Sequence, residues 1–261
     1  MNSKRRTFLK SAVGVAAISG IALKDVVQNA LGQTSGGEEY AHHWVMVHDQ
    51  NKCIGCNYCT WACKATNDTP ADIYWNLVFK EKETTSGSVF LTRVCMHCEE
   101  PPCVMACPVV ATYKRPEDGI VVMNYDKCVG CRYCIAACPY GARYFNWREN
   151  KEPNIYAPEW GTPEVPRRVK GVAEKCTFCI QRIDKALQTG LKPGIDPEVT
   201  PACVNICPTG AKAFGDLNDK VQFQHPNKGT LPSSIILSEG RVLLEQLGTK
   251  PRVYYLPNKR Q

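Results

Sequence analysis

No stretch of the 261 residues is long and apolar enough to cross a bilayer, which takes about 20 apolar residues in a helix. The longest candidate, residues 12–23, falls short and is weakened by Gly14 and Gly20. A second, 233–237, runs into Glu239 and Arg241. Covalent haem is excluded as well, because no Cys-x-x-Cys pair is followed by histidine. No phosphate-cradling loop and no nucleophile paired with a base stands out, so the chain offers no reaction centre or small-molecule substrate site of its own. Nucleic acid is a poor partner despite a net charge of +7, since no basic stripe is interleaved with aromatics. Of that charge, +4 belongs to residues 1–32 (Lys4, Arg5, Arg6, Lys10 and Lys24 against Asp25), which leaves +3 elsewhere.

Cysteine is what the chain has in excess: 16 residues. Disulfides, zinc and iron–sulfur clusters are the usual reasons for such a number. Spacing separates them. Motif one is Cys53-x2-Cys56-x2-Cys59-x3-Cys63, and motif three is Cys128-x2-Cys131-x2-Cys134-x3-Cys138-Pro139. Motif two is Cys95-x2-Cys98-x4-Cys103-x3-Cys107-Pro108. Motif four is Cys176-x2-Cys179, a long insertion, then Cys203-x3-Cys207-Pro208. Motifs one and three match the bacterial ferredoxin run, in which three cysteines wrap one [4Fe–4S] cubane and the fourth reaches the other cluster of a pair. Zinc ribbons draw on two separate Cys-x2-Cys knuckles and have no use for three cysteines in seven residues. Cysteines this crowded also pair poorly as disulfides. Motifs two and four share their second halves, Pro102-Cys103-Val104 and Cys203-Val204 each leading to a Cys-Pro, which points to duplicated units.

Residues 108–123 read as a strand, an Asp118-Gly119 turn and a second strand. This resembles the central hairpin of a two-cluster bacterial ferredoxin and joins motif two to motif three. On that resemblance motifs two and three form one unit, and motifs one and four form the other by elimination. The ferredoxin crossover rule then implies four [4Fe–4S] clusters. Their ligand sets are Cys95, Cys98, Cys103 with Cys138; Cys128, Cys131, Cys134 with Cys107; Cys53, Cys56, Cys59 with Cys207; and Cys176, Cys179, Cys203 with Cys63. The expected fold is α+β: two ferredoxin-like dicluster units related by duplication, one inserted in the other. Residues 95–139 form the inserted unit and 44–94 with 140–230 the outer one. Residues 231–261 form a C-terminal extension with a short helix at 240–247 and a strand at 252–256.

The N-terminus reads as an address. Arg5-Arg6-Thr7-Phe8-Leu9 before a modest apolar run resembles a twin-arginine (Tat) export signal over residues 1–32. Such a signal suits the cysteines, because chains exported unfolded would meet an oxidising compartment and form disulfides. A twin-arginine substrate leaves already folded with its cofactor inside. The mature protein is therefore expected in the periplasm, held at the membrane through partners.

The four motifs, the insertion between Cys179 and Cys203, and the run 166–179 resemble the four-cluster iron–sulfur subunit of the dimethyl sulfoxide, polysulfide and tetrathionate reductases. That resemblance covers roughly residues 44–257. It implies a subunit that passes single electrons between a quinone-reactive membrane subunit and a catalytic molybdopterin subunit. The same motifs also suit an exported ferredoxin subunit of a transmembrane complex without molybdenum, linked to sulfite or nitrite reduction and to cytochromes. A third reading is a non-redox metal protein that scaffolds an assembly. Cys63 departs from the pattern, being followed by Lys64 and not by proline.

Other residues carry weaker expectations. Lys52, Lys127 and Lys175 each precede the first cysteine of a motif; they are expected to be solvated or, alternatively, to raise cluster potentials. His97, inside motif two, is not expected to ligate. His42, His43 and His48 are expected on a solvated segment. Trp61, Tyr133, Tyr140 and Phe178 should pack against the clusters and exclude water. Segments 149–168 and 180–202 lack clear periodicity and are expected to dock the catalytic partner.

Overall fold

The computed structural model describes residues 40–259 except 86, 220–222, 226–228 and 232. The export-signal segment, residues 1–32, lies outside the described residues. The architecture is mixed α+β, with small sheets and mostly short helices. Strand β1 (Trp44–Asp49) runs into motif one. It is buried on both faces: Trp44 and Met46 join the core that holds most of the buried cysteines, while Val45 and Val47 pack with Ile236 and Leu256. β8 (Lys212–Asp216) pairs antiparallel with β1, His48 opposite Lys212. β11 (Val253–Leu256) pairs parallel on its other edge, Met46 opposite Val253. With β9 (Phe223–His225) and β10 (Gly229–Leu231) they make a five-stranded sheet of order β10-β9-β8-β1-β11.

The expected central hairpin is present. β4 (Thr112–Lys114) and β5 (Val121–Met123) are antiparallel, Thr112 opposite Met123. Gly119 turns at φ +68°, where a Cβ would strike the Arg252 guanidinium. β2 (Leu77–Thr84) and β3 (Gly87–Arg93) form a separate hairpin, and β6 (Tyr144–Phe145) pairs with β7 (Ala173–Glu174).

The helices follow the cysteines. α2 (Pro102–Met105), α3 (Tyr133–Ala136) and α5 (Ala202–Asn205) each last one turn and end at a Cys-Pro. Proline cannot donate the next helical hydrogen bond, which stops the helix there. α1 (Tyr58–Asn67) lacks that stop: Lys64 replaces proline, and the helix runs on to Asn67. The Lys64 ammonium donates to the carbonyls of Pro70, Ala71 and Ile73 at 2.8, 3.2 and 2.8 Å.

Two local expectations are corrected. Residues 180–202 are not aperiodic: α4 (Ile180–Thr189) buries Ile183 and Ala186 on one face, a stripe too short to register as periodicity. The C-terminal helix is not at 240–247. α6 spans Ser233–Glu239, and only a 3-10 turn follows at Glu245–Leu247. Gly240 ends α6, donating its N–H to the Ile236 carbonyl at 3.0 Å, and a Cβ there would come within 2.3 Å of that oxygen. Among the described residues no helix is long and apolar enough to cross a membrane.

Candidate metal centre

All 16 cysteines are free thiols. Each motif opens with a tight Cys-x-x-Cys turn whose third residue takes the left-handed conformation: Gly55 (φ 74°), His97 (44°), Gly130 (70°) and Phe178 (56°). Two of these are the glycines that such a backbone favours. The other two carry rings that meet each other, His97 over Phe178 with centroids 3.9 Å apart, where motif two abuts motif four.

Second halves repeat as well. Cys107, Cys138 and Cys207 each close a one-turn helix by donating to Val104, Ile135 and Val204. The amides of Ala111 and Ala211 donate to the sulfurs of Cys107 and Cys207, both at 3.2 Å. Asn124 then bonds back to the Ala111 carbonyl, and Asp49 to that of Ala211, both at 2.7 Å. β8 after motif four thus meets β1 before motif one as β4 after motif two meets β5 before motif three.

The thiols gather in four groups. Burial, then the neighbouring Cys176, Cys179 and Cys203, pushes the Cys63 thiol well above its usual range. Burial and neighbours that include Cys59 and Cys207 raise Cys53. Cys56 completes the second of these neighbourhoods, lining one cavity with Cys53, Cys59, Cys207 and Lys212. Burial, Cys95, Cys103 and Cys138 push Cys98 up to about 12. Cys134 is raised by burial, with Cys107 and Cys128 beside it. Cys131 is exposed on the same loop. Cys107 moves the other way: burial acts upward, but amides of Thr112, Val109 and Ala111 favour its thiolate and prevail.

Neighbouring groups influence one another electrostatically in sequence. Cys59 acts on Cys203 and Cys95 on Cys176, and the Arg143 charge acts on both Cys103 and Cys134. The groups therefore run in a line: motif one, motif four, motif two, motif three. Among the described residues no three His, Cys, Asp or Glu side chains converge as they would on one metal ion. The cavity lined by Cys53, Cys56, Cys59 and Cys207, and the backbone amides that donate to the sulfurs of Cys107, Cys176 and Cys207, suit a [4Fe–4S] body. Raised thiols also mean that filling such a site displaces protons, because the thiolate is the ligand.

Two profiles described as a 4Fe-4S dicluster domain match residues 87–154 and 127–211, and a 4Fe-4S binding domain matches 44–65. The chain is 41% identical to the iron–sulfur subunit of a putative dimethyl sulfoxide reductase of Halobacterium salinarum, over 81% of this chain and 78% of that one. It is 39% identical to the iron–sulfur cluster-binding subunit of a menaquinone reductase of Nitratidesulfovibrio vulgaris, over 86% and 92%. A tetrathionate reductase subunit of Salmonella typhimurium is 33% identical over 98% and 89%. The chain belongs to the iron–sulfur subunit family of the dimethyl sulfoxide, polysulfide and tetrathionate reductases. As a member it is an electron-transfer protein that carries multiple [4Fe–4S] clusters.

Around the cysteines of this reductase subunit, several side chains depart from expectation. Lys52 and Lys127 are exposed as expected, Lys52 pairing with Asp49 at 3.7 Å, whereas Lys175 is wholly buried. His48 is buried in β1, and its imidazole is lowered to about 3 by burial and the Lys212 charge. His42 binds Asp216 at 2.6 Å and His43 faces Glu99 at 3.4 Å. None of the three lies on a free solvated segment, because β1 and the residues just before it are tied into the sheet. Tyr140 and Phe178 pack inside as expected, but Tyr133 is 64% exposed. Trp61 packs against Tyr58 and Trp160 with tilted rings. Arg143, Lys212 and Asn76 beside the thiols were missed from the sequence. The available signal was position: Arg143 and Lys212 each stand five residues after the last cysteine of a motif.

Proposed function

We propose that the chain is a four-cluster wire, with Cys53, Cys56, Cys59 and Cys207 holding one cluster and Cys176, Cys179, Cys203 and Cys63 the next. Cys95, Cys98, Cys103 and Cys138 hold the third; Cys128, Cys131, Cys134 and Cys107 hold the fourth. The linear run of four thiol groups, each next to only the following one, carries this reading. When bound, [4Fe–4S] clusters supply one-electron chemistry at negligible geometric change; the chain's own task is to hold, space and shield them. Buried Phe178, Tyr140 and Val204 exclude water from the middle of the line. The matching pairs β4/β5 and β1/β8 support two duplicated units with residues 95–139 inserted between 44–94 and 140–230, and the C-terminal strand β11 joins the outer unit's sheet.

Both ends of the line reach the surface under an apolar skin. Beside exposed Cys131, Val129 and Tyr133 are 66% and 64% exposed; beside Cys53, Ile54 is 60% exposed. Exposed apolar residues of this kind fit docking partners. One end then meets a quinone-reactive membrane subunit and the other a catalytic molybdopterin subunit, in the periplasm if the twin-arginine signal acts. Segment 149–168, where Ile155 is 75% exposed, and the outer face of α4, where Leu187 is 56% exposed, are further candidates for the catalytic partner. The 39% identity to a menaquinone reductase subunit supports a link to quinone, which suits a second reading too, a transmembrane complex without molybdenum. Tagged protein drawn from detergent-solubilised membranes separates the two: co-purifying molybdenum supports the first, and haem without molybdenum supports the second.

A further inference from the structure

Besides Lys64, whose ammonium three carbonyls hold, three cations are buried among the cysteines with no carboxylate in ion-pair range among the described residues. Lys212 and Lys175 are 1% exposed and Arg143 is 4% exposed. Arg252, equally buried, behaves conventionally and pairs with Glu99 at 2.5 Å. A buried charge without a counter-charge costs too much to keep unless something else supplies the opposite sign. Lys212 Nζ donates to Asn76 Oδ1 at 3.4 Å, and Lys212 lines a cavity with Cys53, Cys56, Cys59 and Cys207. The same ammonium acts on Cys203, Cys59 and Cys207. Arg143 Nη2 donates to Thr112 Oγ1 at 2.5 Å and Nη1 to the Met123 sulfur at 3.3 Å, its Nε has no partner among the described residues, and its charge acts on Cys103 and Cys134. Lys175 Nζ donates to the carbonyls of Val121 and, at 3.0 Å, Cys176. Its charge acts on Cys95 and Cys103 on one side and Cys176 on the other.

Each cation therefore stands between thiols of two neighbouring groups, and together they alternate with the four groups along the line. Arg143 and Lys212 occupy the same place in the two halves, five residues beyond Cys138 and Cys207. Lys175 stands where the halves meet.

We propose that Lys212, Lys175 and Arg143 are counter-charges, each shared by two adjacent clusters, that raise the reduction potentials of those clusters in pairs. This rests on the four-cluster reading above. Each reduction adds one electron and one negative charge to a cluster, and a fixed positive charge in a low-dielectric interior favours the reduced form.

The test uses the full-length protein, loaded with clusters and purified anaerobically. It compares Lys212→Met, Lys175→Met and Arg143→Gln with the charge-keeping Lys212→Arg, Lys175→Arg and Arg143→Lys. Iron and sulfide are counted, and each cluster is titrated with dithionite and mediators under electron-paramagnetic detection. Each neutral variant should lower the reduced-to-oxidised ratio of its two flanking clusters at fixed potential about tenfold or more, about 59 mV for a one-electron couple. The other two clusters should hold their values, and charge-keeping variants should stay near wild type. Loss of iron in a neutral variant but not in its charge-keeping partner also supports the proposal. Unchanged potentials with full iron, an equal shift of all four clusters, or equal loss in both variants would overturn it. A wild-type count below four clusters would instead sink the four-cluster reading.

Discussion

At the residue scale, the cysteine turns are shaped by one backbone position. The third residue of the Cys-x-x-Cys turn that opens each motif is left-handed, and glycine fills it in motifs one and three. Gly130 has no room for more: a Cβ would lie 2.7 Å from the Gly171 carbonyl oxygen, which is main chain and cannot swing aside. Gly130→Ala should therefore destabilise the loaded protein by about 1–3 kcal/mol, through strain and the displaced carbonyl together. Gly171→Ala is the control, since its φ is also positive but nothing lies within 4 Å of its Cβ. Thermal loss of cluster absorbance measures both, and equal melting shifts would show that the close approach is unimportant. The 4Fe-4S motifs were legible in the sequence, because ligand spacing is a local property. Lys212 and Arg143 were not, because a cation's burial depends on which strands fold over it. His48 was misjudged for the same reason: six residues before Cys53 and Cys56 look like a leader until β1 is placed inside its sheet.

At the scale of elements, a missing proline has a structural consequence. Three motifs end a one-turn helix at Cys-Pro, while α1 passes Cys63 and continues through Lys64 to Asn67. Asn67 then donates to the sulfurs of Cys63 at 3.7 Å and Cys179 at 3.6 Å, so the extra turn serves the motif-four site. Lys64→Pro, which would restore the pattern of the other motifs, should cost about 3 kcal/mol more than Lys64→Ala. Both lose the ammonium's carbonyl contacts, but only proline breaks the helix. Chemical denaturation of the loaded protein gives the difference; equal costs would mean that the last turn of α1 contributes nothing. The hairpin of β4 and β5 was legible from its Asp-Gly turn and β-rich second strand. α4 and α6 were not, since a helix with two buried positions leaves too weak a period. Gly240 was read as part of a helix, whereas its N–H bond to Ile236 makes it a terminator.

At the scale of the whole molecule, the pairing of distant motifs decides what the chain can do. Cys63 lies beside Cys176, Cys179 and Cys203 although more than a hundred residues separate them. Cys63→Ser should therefore perturb the motif-four cluster and leave the remaining motif-one cysteines with theirs, which electron-paramagnetic spectra of the reduced protein would distinguish. Loss of the motif-one signal instead would reverse the crossover. The order of groups along the line was beyond the sequence, because it depends on how the two halves abut at His97 and Phe178. The central claim is that these 16 cysteines hold four cubanes, and counting tests it most directly. An anaerobic preparation should contain about 16 iron and 16 acid-labile sulfide per chain, four of each per cluster; a reproducible count of about 12 or fewer would contradict it.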